Sequence, residues 1–218
     1  MPLINISKMK EVDIYFIKKV ITDFPTFCEK FLTITDQDNK EVPLKLNEVQ
    51  YILYEIIQDI VKRDKSVRLN ILKARRQGIT TLIAALFFWR TLTSYQGNSL
   101  IVTHETKLTD YILNQYYKHF IDCMPPLLLP PIKTNNSKVI SFQRKGNKRE
   151  NIPTINTTIT VATAATDNVG SGQQFSNVHF SETAKWHEYV TNAIYISLAQ
   201  TINQDSETLF INESTAQG

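Results

Sequence analysis

The sequence predicts an α/β fold, a central, mostly parallel sheet flanked by helices on both faces. Apolar runs of strand length alternate with segments of helical period, as β-α units require. The strand VRLNIL at 67–72 leads through a polar, glycine-bearing loop straight into a helix. At 218 residues, 42% hydrophobic and 21% charged, the chain is one medium domain, or slightly more, with its own core, and disorder is excluded.

The elements follow in order. Residues 10–33 read as one or two short helices interrupted at Pro25. Residues 47–64 place Val49, Ile52, Leu53, Ile56, Ile57 and Ile60 at helical spacing, with Asn47 as N-cap. Residues 67–72 form a strand, and a helix runs from about Thr80 to Tyr95. SLIVT at 99–103 is a short buried strand. Residues 105–123 are helical along Leu108, Ile112, Tyr116, Phe120 and Cys123, until Pro125 and Pro126 stop them. Residues 138–143 and 155–163 are strands rich in Thr and Ile, and 164–176 is a loop containing Gly170 and Gly172. A strand at 177–181, a helix at 186–201 and a strand at 207–213 complete the order. Ligands of such sheets bind at the carboxyl ends of strands, so the loops after residues 72, 103, 181 and 213 are where a site is expected.

No stretch reaches the ~18 apolar residues of a membrane span, and the N-terminus lacks a signal-peptide core. The chain is therefore expected to be soluble and cytoplasmic. Cys28 and Cys123, its two cysteines, read as free thiols of the core. The net charge of +3 is unevenly spread: residues 1–150 hold 23 basic and 15 acidic side chains, residues 151–218 one and six. Lys133, Lys138, Arg144, Lys145, Lys148 and Arg149 form a run that suits a polyanion or a solvated loop. His104, His119, His179 and His187 show no metal-ligand spacing and no cysteine to complete a zinc site; His179 reads as a buried or half-buried strand residue. Trp89 and Trp186 read as packing residues at helical positions. No Gly-x-Ser-x-Gly nucleophile motif occurs.

The loop after the first core strand reads Lys73-Ala74-Arg75-Arg76-Gln77-Gly78-Ile79-Thr80-Thr81. Strand, polar loop, glycine and helix start make a phosphate cradle, because N–H groups at a helix N-terminus point at an anion. Thr80, two residues after Gly78, stands where a Mg²⁺-ligating hydroxyl belongs. The pattern G-x-x-x-x-G-K-[ST] is not met: its first Gly slot holds Lys73 and its Lys slot Ile79. Lys73 can instead reach across the loop, with Arg75 and Arg76 as further cations. A second motif, Asn177-Val178-His179-Phe180-Ser181-Glu182, is an apolar strand ending in a carboxylate. A nucleotide hydrolase needs such a group near the γ-phosphate. A third, ending in Ser214-Thr215-Ala216, places small hydroxyl side chains at the last strand's end.

Together, in this order, KARRQGITT, VHFSETAKW and FINESTAQG resemble the ATPase domain of the large terminase subunit, the DNA-packaging motor of tailed bacteriophages. Leu46-Asn47-Glu48-Val49-Gln50 is similar to that family's adenine-recognition segment, and Gly170-Ser171-Gly172 to a family loop. The resemblance spans roughly residues 43–218 and implies a P-loop NTPase fold of the ASCE type, with residues 1–42 as an N-terminal helical extension or lid. It implies ATP and Mg²⁺ as cofactors, with Gln50 and residues 73–81 (Lys73, Ala74, Arg75, Arg76, Gln77, Gly78, Ile79, Thr80, Thr81) around the nucleotide. Lys73 and Arg76 would grip phosphate, Thr80 would ligate Mg²⁺, and Glu182 would activate water. Ser181 and Glu182 would reach the metal through water, and Ser214, Thr215 and Ala216 would couple hydrolysis to movement. The implied function is ATP-driven translocation of double-stranded DNA into a procapsid. The implied partners are DNA phosphates, a portal protein, a small terminase subunit and a homo-oligomeric ring, without a membrane, in the host cytoplasm at the portal.

Two departures from the family pattern stand out. Ser181 occupies the place of the usual Walker B Asp, and Ser171 that of a frequent Arg, which leaves Arg144 and Arg149 as candidate trans-acting arginines. The sequence ends after the third motif without a second acidic cluster, so no nuclease activity is expected of it. Two rivals stay open: another P-loop nucleic-acid translocase or helicase-type motor, and a catalytically silent nucleotide- or DNA-binding module.

Overall fold

The structure is a computed structural model that describes residues 19–63, 65–93, 97–146, 154–164, 174–199 and 208–216. Arg149 and the Gly170-Ser171-Gly172 loop lie outside them. The chain begins with a helical turn at 19–22, then α1 (Phe24–Phe31) and a hairpin of β1 (Thr33–Thr35) and β2 (Glu41–Pro43). Pro25 does not interrupt a helix. The break falls at Asp23, which caps α1 by accepting from Thr26 N, and Pro25 occupies the first turn, where its missing N–H has no partner to lose.

Helix α2 (Glu48–Lys62) starts at Asn47 in a full capping box: Asn47 Oδ1 accepts from Gln50 N, and Gln50 Oε1 from Asn47 N, each at 2.9 Å. Its inward face is Gln50, Leu53 and Ile57. Val49, Ile52 and Ile56, taken from sequence as part of the apolar stripe, are 41%, 52% and 46% exposed. Helix α3 (Ile79–Thr93) is the opposite case. Ten of its fifteen residues are buried, so it has no polar face and runs through the core.

Among the described residues seven strands form one sheet: β3 (Val67–Lys73), β4 (Asn98–Thr103), β5 (Ile132–Asn135), β6 (Val139–Arg144), β7 (Ile155–Thr163), β8 (Asn177–Ser181) and β9 (Leu209–Thr215). Their order is β3-β9-β8-β4-β7-β6-β5. The first five are parallel; β6 and β5 add antiparallel strands at one edge, and β5 was not foreseen. Strand β9 also runs two residues further than the sequence reading had it.

One face packs on α1, α2, α3 and the helical segment 106–123 through Val67, Ile101, Ile159, Leu209 and Ile211. The other packs on α4 (Glu188–Ala199) through Leu100, Val178, Phe180 and Phe210. The segment 106–123 contains a π-helical turn at Leu113–Lys118. The wider turn rotates the following residues, so Thr109, Ile112, Leu113, Tyr117, Phe120 and Ile121 face the core, not the single stripe expected. Trp186 follows a 3₁₀ turn rather than sitting in a helix, and its Nε1 donates to Ser181 O at 3.1 Å. Among the described residues no helix is long and apolar enough to cross a membrane.

Candidate nucleotide site

The sheet order puts β9 between β3 and β8, so the three motifs meet at adjacent carboxyl ends. The loop from Lys73 to Gly78 turns through left-handed backbone at Arg76 (φ 64°) and Gly78 (φ 72°). Gly78 is required twice. Its φ disfavours a side chain, and a Cβ there would stand 2.7 Å from Gln50 Nε2. Gln50 Nε2 donates to Gly78 O at 2.7 Å and Asn47 Nδ2 to Gln77 O at 3.3 Å, so the α2 capping box also braces the loop. Gln50 is buried with both amide ends bonded to protein. In this structure its amide holds the loop.

Lys73 ends β3 and folds over the loop's base. Its Nζ donates to Thr80 Oγ1 at 3.0 Å, and lies 2.9 Å from Glu213 Oε2 and 3.5 Å from Glu182 Oε1. Lys73 thus enters from the front of the turn and meets Thr80 and the two carboxylates. Ile79, in the usual lysine slot, is buried in the core, and Thr81 Oγ1 pairs with Tyr116 OH at 3.1 Å. Neither side chain faces the phosphate cradle; only their backbone could serve it.

Glu182 follows β8 in a left-handed conformation (φ 56°), a costly geometry for a non-glycine residue of about 1–3 kcal/mol. Thr215 Oγ1 donates to its Oε1 at 2.8 Å, and Lys185 Nζ stands 3.5 Å from Oε2. Burial pushes its carboxyl up, but the Thr215 bond and the charges of Lys73 and Lys185 outweigh this and hold it below the usual range. It is therefore an ionised acceptor, suited to orienting a water. Ser214 Oγ accepts from Ala184 N at 3.1 Å and Thr183 Oγ1 donates to Asn212 Oδ1 at 2.7 Å. The end of β9 is thereby tied at three points to the turn carrying Glu182, and Ala216 N donates to Lys73 O at 3.4 Å.

A cleft of about 580 Å³ opens here, lined by Lys73, Arg75, Arg76, Glu182, Lys185, Thr215 and Ala216. Four cations against one carboxylate suit a polyphosphate. Sequence reasoning missed three residues of this region: Lys185 in the cleft, and Glu213 and His179 beneath it. Glu213 is buried inside β9, in register with Ile71 on one side and Ser181 on the other. Ser181 Oγ donates to its Oε1 at 2.7 Å, Thr80 Oγ1 at 3.2 Å, and His179 Nε2 lies 3.4 Å away. Burial alone would raise its pKa, but His179 and Lys73 bring it down to about 2. Its Oε2 is paired with Lys73 Nζ at 2.9 Å. Two hydroxyls and a carboxylate form an oxygen-only donor set, which fits a hard cation such as Mg²⁺.

Arg144 lies on β6, five strand spacings or about 24 Å from β3, so it cannot reach its own chain's cleft. The sequence reading that no cysteine accompanies a histidine also fails. Cys123 follows His119 by one helical turn, and with Glu41 their ligand atoms lie within 4.8 Å of one another. The Thr33 hydroxyl fills the middle, 2.9 Å from His119 Nε2, 3.0 Å from Cys123 Sγ and hydrogen-bonded to Glu41. A hydroxyl stands where a cation would, and the cluster is a hydrogen-bonded hub.

A parallel sheet with a phosphate-cradle loop on one strand, a carboxylate at the end of another, and a strand inserted between them defines a P-loop NTPase fold. Solved structures agree. The HK97 bacteriophage large terminase superposes with a TM-score of 0.61 at 16% identity, over 89% of this chain and 37% of that one. The ATPase domain of the Thermus phage P74-26 large terminase gives 0.54 at 11% identity, over 80% of this chain and 71% of that one. The chain therefore has the fold of a phage large terminase ATPase domain and covers 37% of the HK97 terminase chain. No family model and no curated protein sequence matches it.

Proposed function

We propose that this chain is a Mg²⁺-dependent ATPase that drives double-stranded DNA into a procapsid, as the motor domain of a large terminase. The observation that carries the ATPase reading is the placement of Lys73. It reaches the cradle from the front of the turn and meets Glu182 at 3.5 Å, at the mouth of a cleft lined by further cations. Water would attack the γ-phosphate in line. Glu182 orients that water, Lys73, Arg75, Arg76 and Lys185 balance the phosphate charge, and the backbone N–H groups around Gly78 cradle the phosphates. Thr80 would hold Mg²⁺, which when bound neutralises charge on the phosphates. The hydrogen bonds that Thr215 donates to Glu182 and Ser214 accepts from Ala184 give the coupling segment a direct mechanical link to the reacting end.

For DNA, the support is the basic stretch: Lys133, Lys138, Arg144 and Lys145 lie on and beside β5 and β6, at the sheet edge opposite the cleft. Contacts there would be to phosphates, without sequence preference and steeply weakened by salt. A portal protein, a small terminase subunit and further copies of the chain are the partners this role requires, at the portal in the host cytoplasm. The test is ATP turnover with and without duplex DNA. Turnover that disappears in Glu182→Gln while nucleotide still binds supports the motor. No turnover in any condition, DNA included, points to the silent module.

A further inference from the structure

Ser181 leaves the strand before Glu182 without the acid that Mg²⁺ coordination at a phosphate cradle ordinarily uses. The structure supplies one from the next strand. We propose that Glu213 is this chain's Mg²⁺-positioning carboxylate, displaced from the end of β8 to the interior of β9.

Glu213 sits in register beside Ser181 and bonds both its hydroxyl and that of Thr80, the metal-ligand candidate of the loop. It is 1% exposed, and its Oε2 is paired with Lys73 Nζ at 2.9 Å. That buried oxygen is what a metal-bound water would take over when Lys73 turns away. The charge balance leads to the same place. Lys73 pairs with both Glu182 and Glu213. When Lys73 turns to the phosphates, a buried carboxylate loses its lysine, a costly loss unless another cation arrives. A divalent cation held by Thr80 and, through water, by Glu213 takes that place. Lys73 and Mg²⁺ thus exchange at one carboxylate, which makes tight nucleotide binding conditional on the metal.

The inference rests on the cleft being a nucleotide site, and one titration separates the two. A fluorescent ATP analogue is titrated into the full chain, in EDTA and in Mg²⁺, for the wild type, Glu213→Gln, and the swap Ser181→Asp with Glu213→Ser, with thermal melts to verify folding. In Glu213→Gln, the Mg²⁺-dependent gain in affinity is expected to fall by about 10- to 100-fold, while binding in EDTA does not weaken. The swap, which returns the carboxylate to β8, is expected to keep the gain, and it carries the test if Glu213→Gln does not fold. A Mg²⁺ gain indifferent to Glu213→Gln, an equal loss in EDTA and Mg²⁺, or a folded swap without the gain each overturns the assignment while leaving the nucleotide site intact. A wild-type chain that binds no nucleotide in either condition overturns both.

Discussion

The turn after β8 and the interior of β9 each bring a carboxylate to Lys73, in opposite ways. Glu182 is partly exposed, on left-handed backbone, with its oxygens toward the cleft and three side chains around them. Glu213 is fully buried on regular strand backbone, over His179, Ser181 and Thr80. An acid meant to meet a ligand is placed at an element's end, where water and substrate reach it. An acid meant to hold a charge in place is built into a strand, where removing it disturbs everything it touches.

The contrast can be broken by mutation. Glu182→Gln should lower ATP turnover by about 10²–10⁴-fold, read in a steady-state assay, with little change in melting temperature. Glu213→Ala should instead destabilise the fold by about 3–5 kcal/mol, the cost of orphaning a buried partner. The equivalent loss for Glu182→Ala should be smaller, because its carboxylate faces the cleft; denaturant melts of the pair give the difference, and equal losses would erase the distinction. Gly78→Ala should cost about 1–3 kcal/mol, because it strains a left-handed residue and drives into Gln50.

A smaller effect follows from acid. Glu213 ionises at about 2 in the fold against about 4.5 unfolded. Its stabilisation is therefore complete above the ordinary carboxylate range and is lost as pH falls toward 2. Glu213→Gln should flatten that part of the stability curve, as thermal melts between pH 5 and pH 2 would show. The smallest effect is at Arg76. Glycine there removes left-handed strain and should add roughly 0.5–1 kcal/mol of stability while weakening phosphate binding.

The same contrast explains what the sequence could disclose. Lys73, Gly78, Thr80 and Glu182 are legible because they stand at strand ends and in a loop, where polar residue types interrupt apolar runs. Glu213 and His179 look like the polar half of ordinary strand alternation, and only the insertion of β9 between β3 and β8 joins them to the site. Nothing local encodes that insertion. Lys185 is a lone cation after a strand until the 3₁₀ turn brings it 3.5 Å from Glu182. The outer half of the α2 stripe is misread for a related reason. The capping box turns Gln50 inward beneath Gly78, and Leu53 and Ile57 follow it, which leaves Val49, Ile52 and Ile56 on the far side. Spacing gives the helix; the loop it braces decides which face is buried.

The proposed motor depends most on Lys73 gripping the triphosphate. Equilibrium binding of ATP to the wild type and to Lys73→Ala, at fixed Mg²⁺ and ionic strength, tests this directly. A loss of at least about tenfold in affinity is expected from removing one charge-assisted contact. Unchanged affinity in a folded Lys73→Ala chain would contradict it.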